Sequence, residues 1–272
     1  MAISSPPEAA KICCNVAFSK AHEPLITTLV LGFVAGAYIA FGGAIMTFVT
    51  HDAAAHIGLG IAKLLGGVVF ALALFLIVVA GGELFTGNCL MAIGTLSGCA
   101  APSKVLKNWI VVYFANMAGA AVVTLMLWKS GVFSDVINGY ALRIAAGKVD
   151  LTFTQMLLRG ILCNWLVAIA VWVTYAAHDV AGKYVGCLVP VSAFVALGFE
   201  HSVANMYFIF FGLLLKTDPA AVQASGLSEA AIAKLTTAGY VGNMIPVTIG
   251  NIIGGAFFVA TLYFAVFRKE LN

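Results

Sequence analysis

The sequence predicts an all-α membrane protein of six transmembrane helices, arranged as two inverted three-helix repeats with helices 2 and 5 interrupted. Three observations carry that prediction. Of 272 residues, 62% are hydrophobic and only 9% are charged, where an ordinary soluble domain has about 25%. The polar surface needed to cover a water-soluble core is missing. The apolar residues come in runs of about 20, the length of a membrane-crossing helix, and not in the alternating ten-residue segments of a membrane barrel. Two of the runs are too long for one straight crossing, and each is broken by polar residues at the matching place in its half.

The elements follow in order along the chain. Residues 1–24 are polar and amphipathic, without a cleavable signal pattern, and read as an interfacial helix starting near Pro6-Pro7-Glu8. Residues 25–272 form the membrane domain. Its spans are predicted at roughly 25–50, 61–96, 105–129, 154–177, 184–215 and 244–267, closed by the membrane-edge cluster Arg268-Lys269-Glu270. The repeats cover roughly 25–130 and 154–267. Span two is interrupted at Gly81-Gly82-Glu83-Leu84-Phe85-Thr86-Gly87-Asn88, and span five at Gly198-Phe199-Glu200-His201-Ser202-Val203-Ala204-Asn205. Three spans per half is odd, so similar halves insert upside-down relative to each other. Matched interruptions in inverted halves point to a binding or conduction site near the midplane, because broken backbone survives at membrane depth only where protein or a watery cavity satisfies it. Gly32 and Gly36, Ala115 and Gly119, and Gly250 and Gly254 stand at the small-xxx-small spacing of close helix contacts.

Charge places the chain ends. Lys11, Lys20, Lys104, Lys107, Lys183, Arg268 and Lys269 share one side, and Lys63, Lys129, Arg143, Lys148, Lys216 and Lys234 the other. Long loops count less in this balance, so both termini are expected in the cytoplasm. A net charge of +3, scattered along the chain, excludes a nucleic-acid surface. The six cysteines, Cys13, Cys14, Cys89, Cys99, Cys163 and Cys187, contain no CxxC pair. No metal site and no cofactor is expected.

Three ionisable residues fall at membrane depth: Glu83, Glu200 and His201. Such groups are costly there and face the interior of the bundle. The other histidines, His22, His51, His56 and His178, fall at span edges. Glu83 and Glu200 are expected to brace the broken loops by accepting their freed N–H groups. Thr86 can cap the half-helix that follows it or donate to a passing solute. Asn164, Asn205 and Asn251 lie inside spans, either as interhelical hydrogen-bond glue or as pore lining.

The pieces Gly82–Asn88, Asn164-Trp165-Leu166-Val167, Gly198–Met206 and Ile245–Gly255 resemble the formate/nitrite transporter family, in order and over nearly the whole chain. The resemblance implies a homopentamer with an aquaporin-like fold and one pore per protomer, in a bacterial-type cytoplasmic (inner) membrane. It implies a central pore gate and proton donor at His201 with the loop threonine Thr86. It implies one apolar constriction toward the outside at Phe70, Leu74 and Phe194, and one toward the cytoplasm at Leu84 and Phe85. Lys148, in the loop between the halves, corresponds to the family's basic residue outside the pore, and Asn251 to its last-span asparagine. Cys89, just past the loop, either narrows the cytoplasmic vestibule or packs as a thiol.

The implied function is a channel, not an enzyme, for small monovalent weak-acid anions: formate first, with nitrite and hydrosulfide close behind. An anion crossing a dry ring loses its hydration at high cost, whereas its neutral acid loses little. Basic residues such as Lys148 are expected to draw the anion in, and a proton supplied near His201 to let it pass as the neutral acid. The loop 84–97 is expected to be mobile and to gate the cytoplasmic side. Three rivals are weaker. An aquaporin-type channel for neutral solutes expects Asn-Pro-Ala at both breaks, and neither break contains proline. A haem or redox subunit needs two intramembrane histidines, and only His201 is so placed. A sodium-coupled transporter is compatible with the inverted repeat and is separable by sodium-independent uptake.

Overall fold

A computed structural model describes residues 3–271, nearly all of them helical. A capping box opens helix α1 (Pro6–His22): the Ser5 N–H and hydroxyl both donate to the Glu8 carboxylate, at 2.7 and 2.8 Å. The first span is α2 (Leu25–Thr50). A short α3 (Ala53–Ile57) turns the chain, and α4 (Leu59–Phe70) and α5 (Leu72–Val79) then go part of the way back. There the chain breaks. It resumes as α6 (Phe85–Asn88), a 3-10 turn over Cys89–Met91, and α7 (Ala92–Leu96). The third span is α8 (Pro102–Ser130).

The second half repeats this plan. Helix α9 (Asp135–Val149) precedes the span α10 (Phe153–Ala176). Helix α11 (Val180–Ala196) stops at the second break, and α12 (Ser202–Leu215) resumes beyond it. Two short helices, α13 (Pro219–Ser225) and α14 (Glu229–Ala233), lead to α15 (Thr237–Ile252). A wide π-helical stretch over Ile253–Thr261 continues into α16 (Leu262–Leu271), completing the last span.

Six crossings therefore stand where the sequence predicts them, with two differences. The breaks are shorter than the polar segments: Phe85–Asn88 and Ser202–Asn205 have already re-entered helix. The segment 84–97, expected as a mobile loop, is mostly helical for the same reason. Its backbone groups have no water to bond at membrane depth and close on each other instead. The second difference is an added element. Helix α1 and helix α9 occupy the same place ahead of their spans, so each repeat is an amphipathic helix plus three crossings.

Each break contains one glycine in the left-handed region, Gly81 at φ 95° and Gly198 at φ 72°. These residues occupy equivalent places in the two repeats. A side chain there would be strained, and the reversal that frees the chain from α5 or α11 depends on its absence.

The crossings pack through small residues. A Cβ on Gly36 would strike the Asn116 backbone, and one on Gly119 the Phe33 carbonyl, which locks α2 onto α8. Gly250 and Gly254 approach the Leu157 and Ile161 carbonyls in the same way, which locks α15 and the π-helical stretch onto α10. Lipid supplies no hydrophobic drive between helices, so close backbone contact and interhelical hydrogen bonds hold each pair. Gly119→Val is accordingly expected to separate α2 from α8, at a cost of about 3 kcal/mol or more. Size-exclusion chromatography and a thermal melt in detergent check this, and a wild-type profile would show that the close approach is dispensable.

Candidate functional site

The two breaks are built from one set of side chains used twice. In the first, Asn116 of α8 donates to the Gly32 and Glu83 carbonyls at 2.7 and 2.8 Å, and its Oδ1 accepts the Phe85 N–H at 2.9 Å. In the second, Asn251 of α15 donates to the Gly160 and Glu200 carbonyls at 2.8 and 3.0 Å, and its Oδ1 accepts the Ser202 N–H at 2.8 Å. Each asparagine thus holds the preceding span, the break and the resumed helix together. The Glu83 N–H donates to the Leu31 carbonyl and the Glu200 N–H to the Arg159 carbonyl.

The two glutamates are buried, and both carry charge partners. Glu83 pairs with Lys20 of α1 and accepts the Asn88 amide at 2.6 Å. Glu200 pairs with Lys148 of α9, at 3.1 and 3.3 Å, and accepts the Asn205 amide at 2.6 Å. Asn88 and Asn205 donate onward to Asn108 and Asn243, both at 2.8 Å. The carboxylates were expected to accept loop N–H groups. They accept side-chain amides and lysine ammonium groups instead, and the asparagines take the backbone. Lys148, expected in a loop, lies in the last turn of α9.

Between the breaks, His201 meets Thr86. His201 is the N-cap of α12, and its Nδ1 accepts the Ala204 N–H at 3.1 Å. Its Nε2 lies 2.9 Å from the Thr86 hydroxyl. An accepting Nδ1 assigns the neutral ring's proton to Nε2, so Nε2–H donates to Thr86 and leaves the Thr86 proton available. Asn164 of α10 ties the two halves at this level. Its amide donates to the Thr86 carbonyl at 3.1 Å and to the Asn251 carbonyl at 2.7 Å.

A cavity opens on each side of that contact. The one on the α9 side, about 120 Å³, is lined by Phe70, Phe194, Lys148, Glu200 and His201. The Phe194 ring stacks on the His201 ring, with centroids 5.9 Å apart, and meets Phe70 edge-on at 6.1 Å. The one on the α1 side, about 320 Å³, is lined by Lys20, Leu74, Glu83, Leu84, Asn88 and Lys183. Leu74, expected beside Phe70 and Phe194, therefore lines the opposite cavity with Leu84, because it stands a turn further along the crossing. Phe85, expected beside Leu84, packs edge-on against Tyr113 at 5.0 Å. As the first residue of α6 it turns away from Leu84. Cys89 is fully buried, with its thiol 3.5 Å from the Phe85 carbonyl.

Several members of the site were passed over in the sequence: Lys20, Asn88, Asn108, Asn116 and Asn243. A constant offset could have found them. Gly81, Glu83 and Asn88 recur at one fixed spacing as Gly198, Glu200 and Asn205. Lys20 and Gly32 recur at a second as Lys148 and Gly160, and Asn108 and Asn116 at a third as Asn243 and Asn251.

A family model described as "Formate/nitrite transporter" matches residues 7–265. A "Probable formate transporter" of Methanothermobacter thermautotrophicus is 41% identical, over 98% of this chain and 98% of the relative. The formate channel FocA of Escherichia coli (strain K12) is 35% identical, over 97% of this chain and 95% of the relative. Among solved structures, a "Pentameric formate channel with formate bound" superposes with a TM-score of 0.82 at 34% identity. It covers 90% of this chain and 98% of that one. An "FNT family ion channel" superposes with a TM-score of 0.80 at 26% identity, covering 95% and 98%.

The lysine–glutamate pairs have a measurable consequence. Lys20→Met leaves the Glu83 carboxylate buried and unpaired, which costs about 3–5 kcal/mol for a buried pair. The Lys20 side chain is 21% exposed, so the lower end is expected. Adding Glu83→Gln should recover part of the loss. Thermal melts of the two variants in detergent check this, and equal melting points for single and double variants would remove the pairing from the account.

Proposed function

The chain belongs to the formate/nitrite transporter family, and on that premise we propose that it conducts small monovalent weak-acid anions, formate first, through a pore in each protomer of a homopentamer. The observation that carries the reading is the His201–Thr86 contact. It is a buried polar pair between two cavities, each walled by apolar side chains, with Lys148 lining one and Lys20 and Lys183 the other.

Physical chemistry supplies the route. A charge at the centre of a bilayer is expensive, and the apolar walls at Phe70 and Phe194, and at Leu74 and Leu84, give an anion nothing to replace its water. A protonated acid needs only one or two hydrogen bonds. The Thr86 hydroxyl proton, left available by the His201 contact, can supply one, and the His201 Nε2–H a second once that contact opens around a small carboxylic acid. Lys148 and Lys20 hold positive charge at the two openings, and this raises the local concentration of anions.

Proton supply at or beside His201 has a structural cost. An imidazolium carries a proton on Nδ1 as well as on Nε2, and Nδ1 can then no longer accept the Ala204 N–H. Charging the ring therefore releases the cap of α12, and discharging it onto an incoming anion restores the cap. The proton leaves histidine, joins the anion, and crosses with it as the neutral acid. Nitrite and hydrosulfide fit the same scheme, since each has a small neutral conjugate acid. Placement in a cytoplasmic (inner) membrane with both termini inside belongs to the same proposal.

Formate flux in proteoliposomes tests the reading. His201→Phe is expected to lower flux at least tenfold and to flatten its pH dependence between about pH 5 and 8. His201→Asn, which keeps a polar side chain at the cap, should retain part of the flux with a similarly flattened profile. Unchanged flux and profile in both would sink the proton-supply role. Thr86→Ala is expected to lower flux and shift preference among formate, nitrite and hydrosulfide. Wild-type selectivity and flux in that variant would remove Thr86 from the solute path.

A further inference from the structure

Helix α1 is bound to the body of the protein at a point outside the site described above. It lays Ala9, Ala10, Cys13 and Ala17, all buried, against the core. Gly94 of α7 makes the close approach possible: a Cβ there would press on Ala17, Ala100 and the Cys99 sulfur. In this contact the Cys14 and Cys99 sulfurs lie 2.7 Å apart, and the Ser97 hydroxyl lies 3.1 Å from Cys14 Sγ. Both cysteines are free thiols. The pair joins residues 85 apart in sequence, one on α1 and one in the turn between α7 and α8.

We propose that Cys14 and Cys99 are an oxidisable pair, whose disulfide staples α1 to the α7–α8 turn and fixes one wall of the α1-side cavity. Three features support it. The sulfurs already face each other at a separation that a small side-chain rotation converts to bonding distance. Cys99 is partly exposed and Cys14 is buried, so the pair has an entry thiol and a resolving thiol. The helix that would be stapled carries Val16 and Lys20, which line the cavity together with Glu83 and Asn88.

The oxidant belongs to the class of low-molecular-weight disulfides, RSSR. The Cys99 thiolate attacks RSSR, giving the mixed disulfide Cys99–S–SR and releasing one thiolate. The Cys14 thiolate then attacks the Cys99 sulfur, forming the Cys14–Cys99 bond and releasing the second. Both cysteine protons end on the two released thiols. The pair loses two electrons and RSSR gains them. Burial, with the Cys99 contact second, pushes the Cys14 thiol up to about 11, so the resolving step is the slower one. In a reducing compartment such a bond is transient, which suits a redox-responsive contact.

Once formed, the staple removes the freedom of α1 to move away from the turn. Lys20 is then held on Glu83 and Asn88, and the cavity wall cannot yield to a passing solute. This effect on flux rests on the transport reading, whereas the link itself does not. The experiment uses the full chain in liposomes. Oxidised glutathione is added to the α1 face, free thiols are then blocked with N-ethylmaleimide, and the digest is analysed by mass spectrometry. The expected result is a Cys14–Cys99-linked peptide that dithiothreitol abolishes. Formate flux should fall by half or more on oxidation and return on reduction, with no such change in Cys14→Ser or Cys99→Ser. Any of three outcomes would overturn the proposal: alkylation of both cysteines with no linked peptide, a link that uses Cys13, or a full link with unaltered flux. Absence of formate flux in the reduced wild-type protein would count against the transport reading instead, since the peptide assay is independent of the solute.

Discussion

A helix that stops inside a bilayer exposes N–H and C=O groups that lipid cannot bond, and everything at the centre of this protein depends on how those groups are satisfied. The answer is the carboxamide of Asn116 in one half and of Asn251 in the other. Each uses both of its donors and its acceptor on backbone. An unmade buried hydrogen bond costs about 1–3 kcal/mol, so three per break are enough to decide whether the chain can break there at all. Because the same three bonds orient the residue just before the resumed helix, they also set the positions of Leu84 and His201. The Thr86–His201 contact is in this sense a product of the two asparagines.

The repeats share a scaffold but not a centre. Leu84 and His201 are equivalent N-cap positions, and only His201 caps its helix with a side chain. Thr86 is matched by Val203. Each half thus contributes one polar group to the midplane and one apolar group beside it. Strict symmetry would have produced two histidines and two threonines, a wetter and more polar centre. The lysines differ as well. Lys20 reaches both Glu83 and Asn88, whereas Lys148 reaches Glu200 alone and leaves Asn205 Oδ1 without a partner. The two openings are built from the same residues and present different hydrogen-bonding surfaces.

Much of this was legible in the sequence, for identifiable reasons. Hydrophobic runs locate spans because the bilayer sets their length, and six of six stand close to their predicted places. Glu83, Glu200 and His201 stood out because a charge or an imidazole in an apolar run is rare. The asparagines were harder. Asn108, Asn116 and Asn243 carry no charge and look like ordinary glue, and what distinguishes them is what they bond, a fact of three dimensions: Asn116 the backbone of the break, Asn108 the Asn88 and Glu83 side chains, Asn243 the Asn205 side chain and the Lys148 carbonyl. Lys20 was hidden in a segment read as interfacial, and its importance comes from α1 folding back onto the break. Leu74 and Phe85 were placed by likeness to a pattern, whereas their side chains follow the local helix: Leu74 one turn beyond Phe70, Phe85 at the start of α6 facing Tyr113.

On the proposed reading, the paired lysines explain how a pore can attract an anion without trapping it. A lone lysine about 4 Å from an anion contributes about 4 kcal/mol at an effective dielectric of 20. The paired glutamate carboxylate lines the same cavity, and for an anion seated about 7 Å from it the repulsion takes back a little over half of that. The remainder, about 2 kcal/mol, concentrates anions in the cavity by a factor of tens and still lets them leave. It is also smaller than the several kcal/mol needed to strip a charge of water at an apolar wall. The anion is therefore gathered at the opening and stopped there, until a proton removes the charge that both attracted it and blocked it.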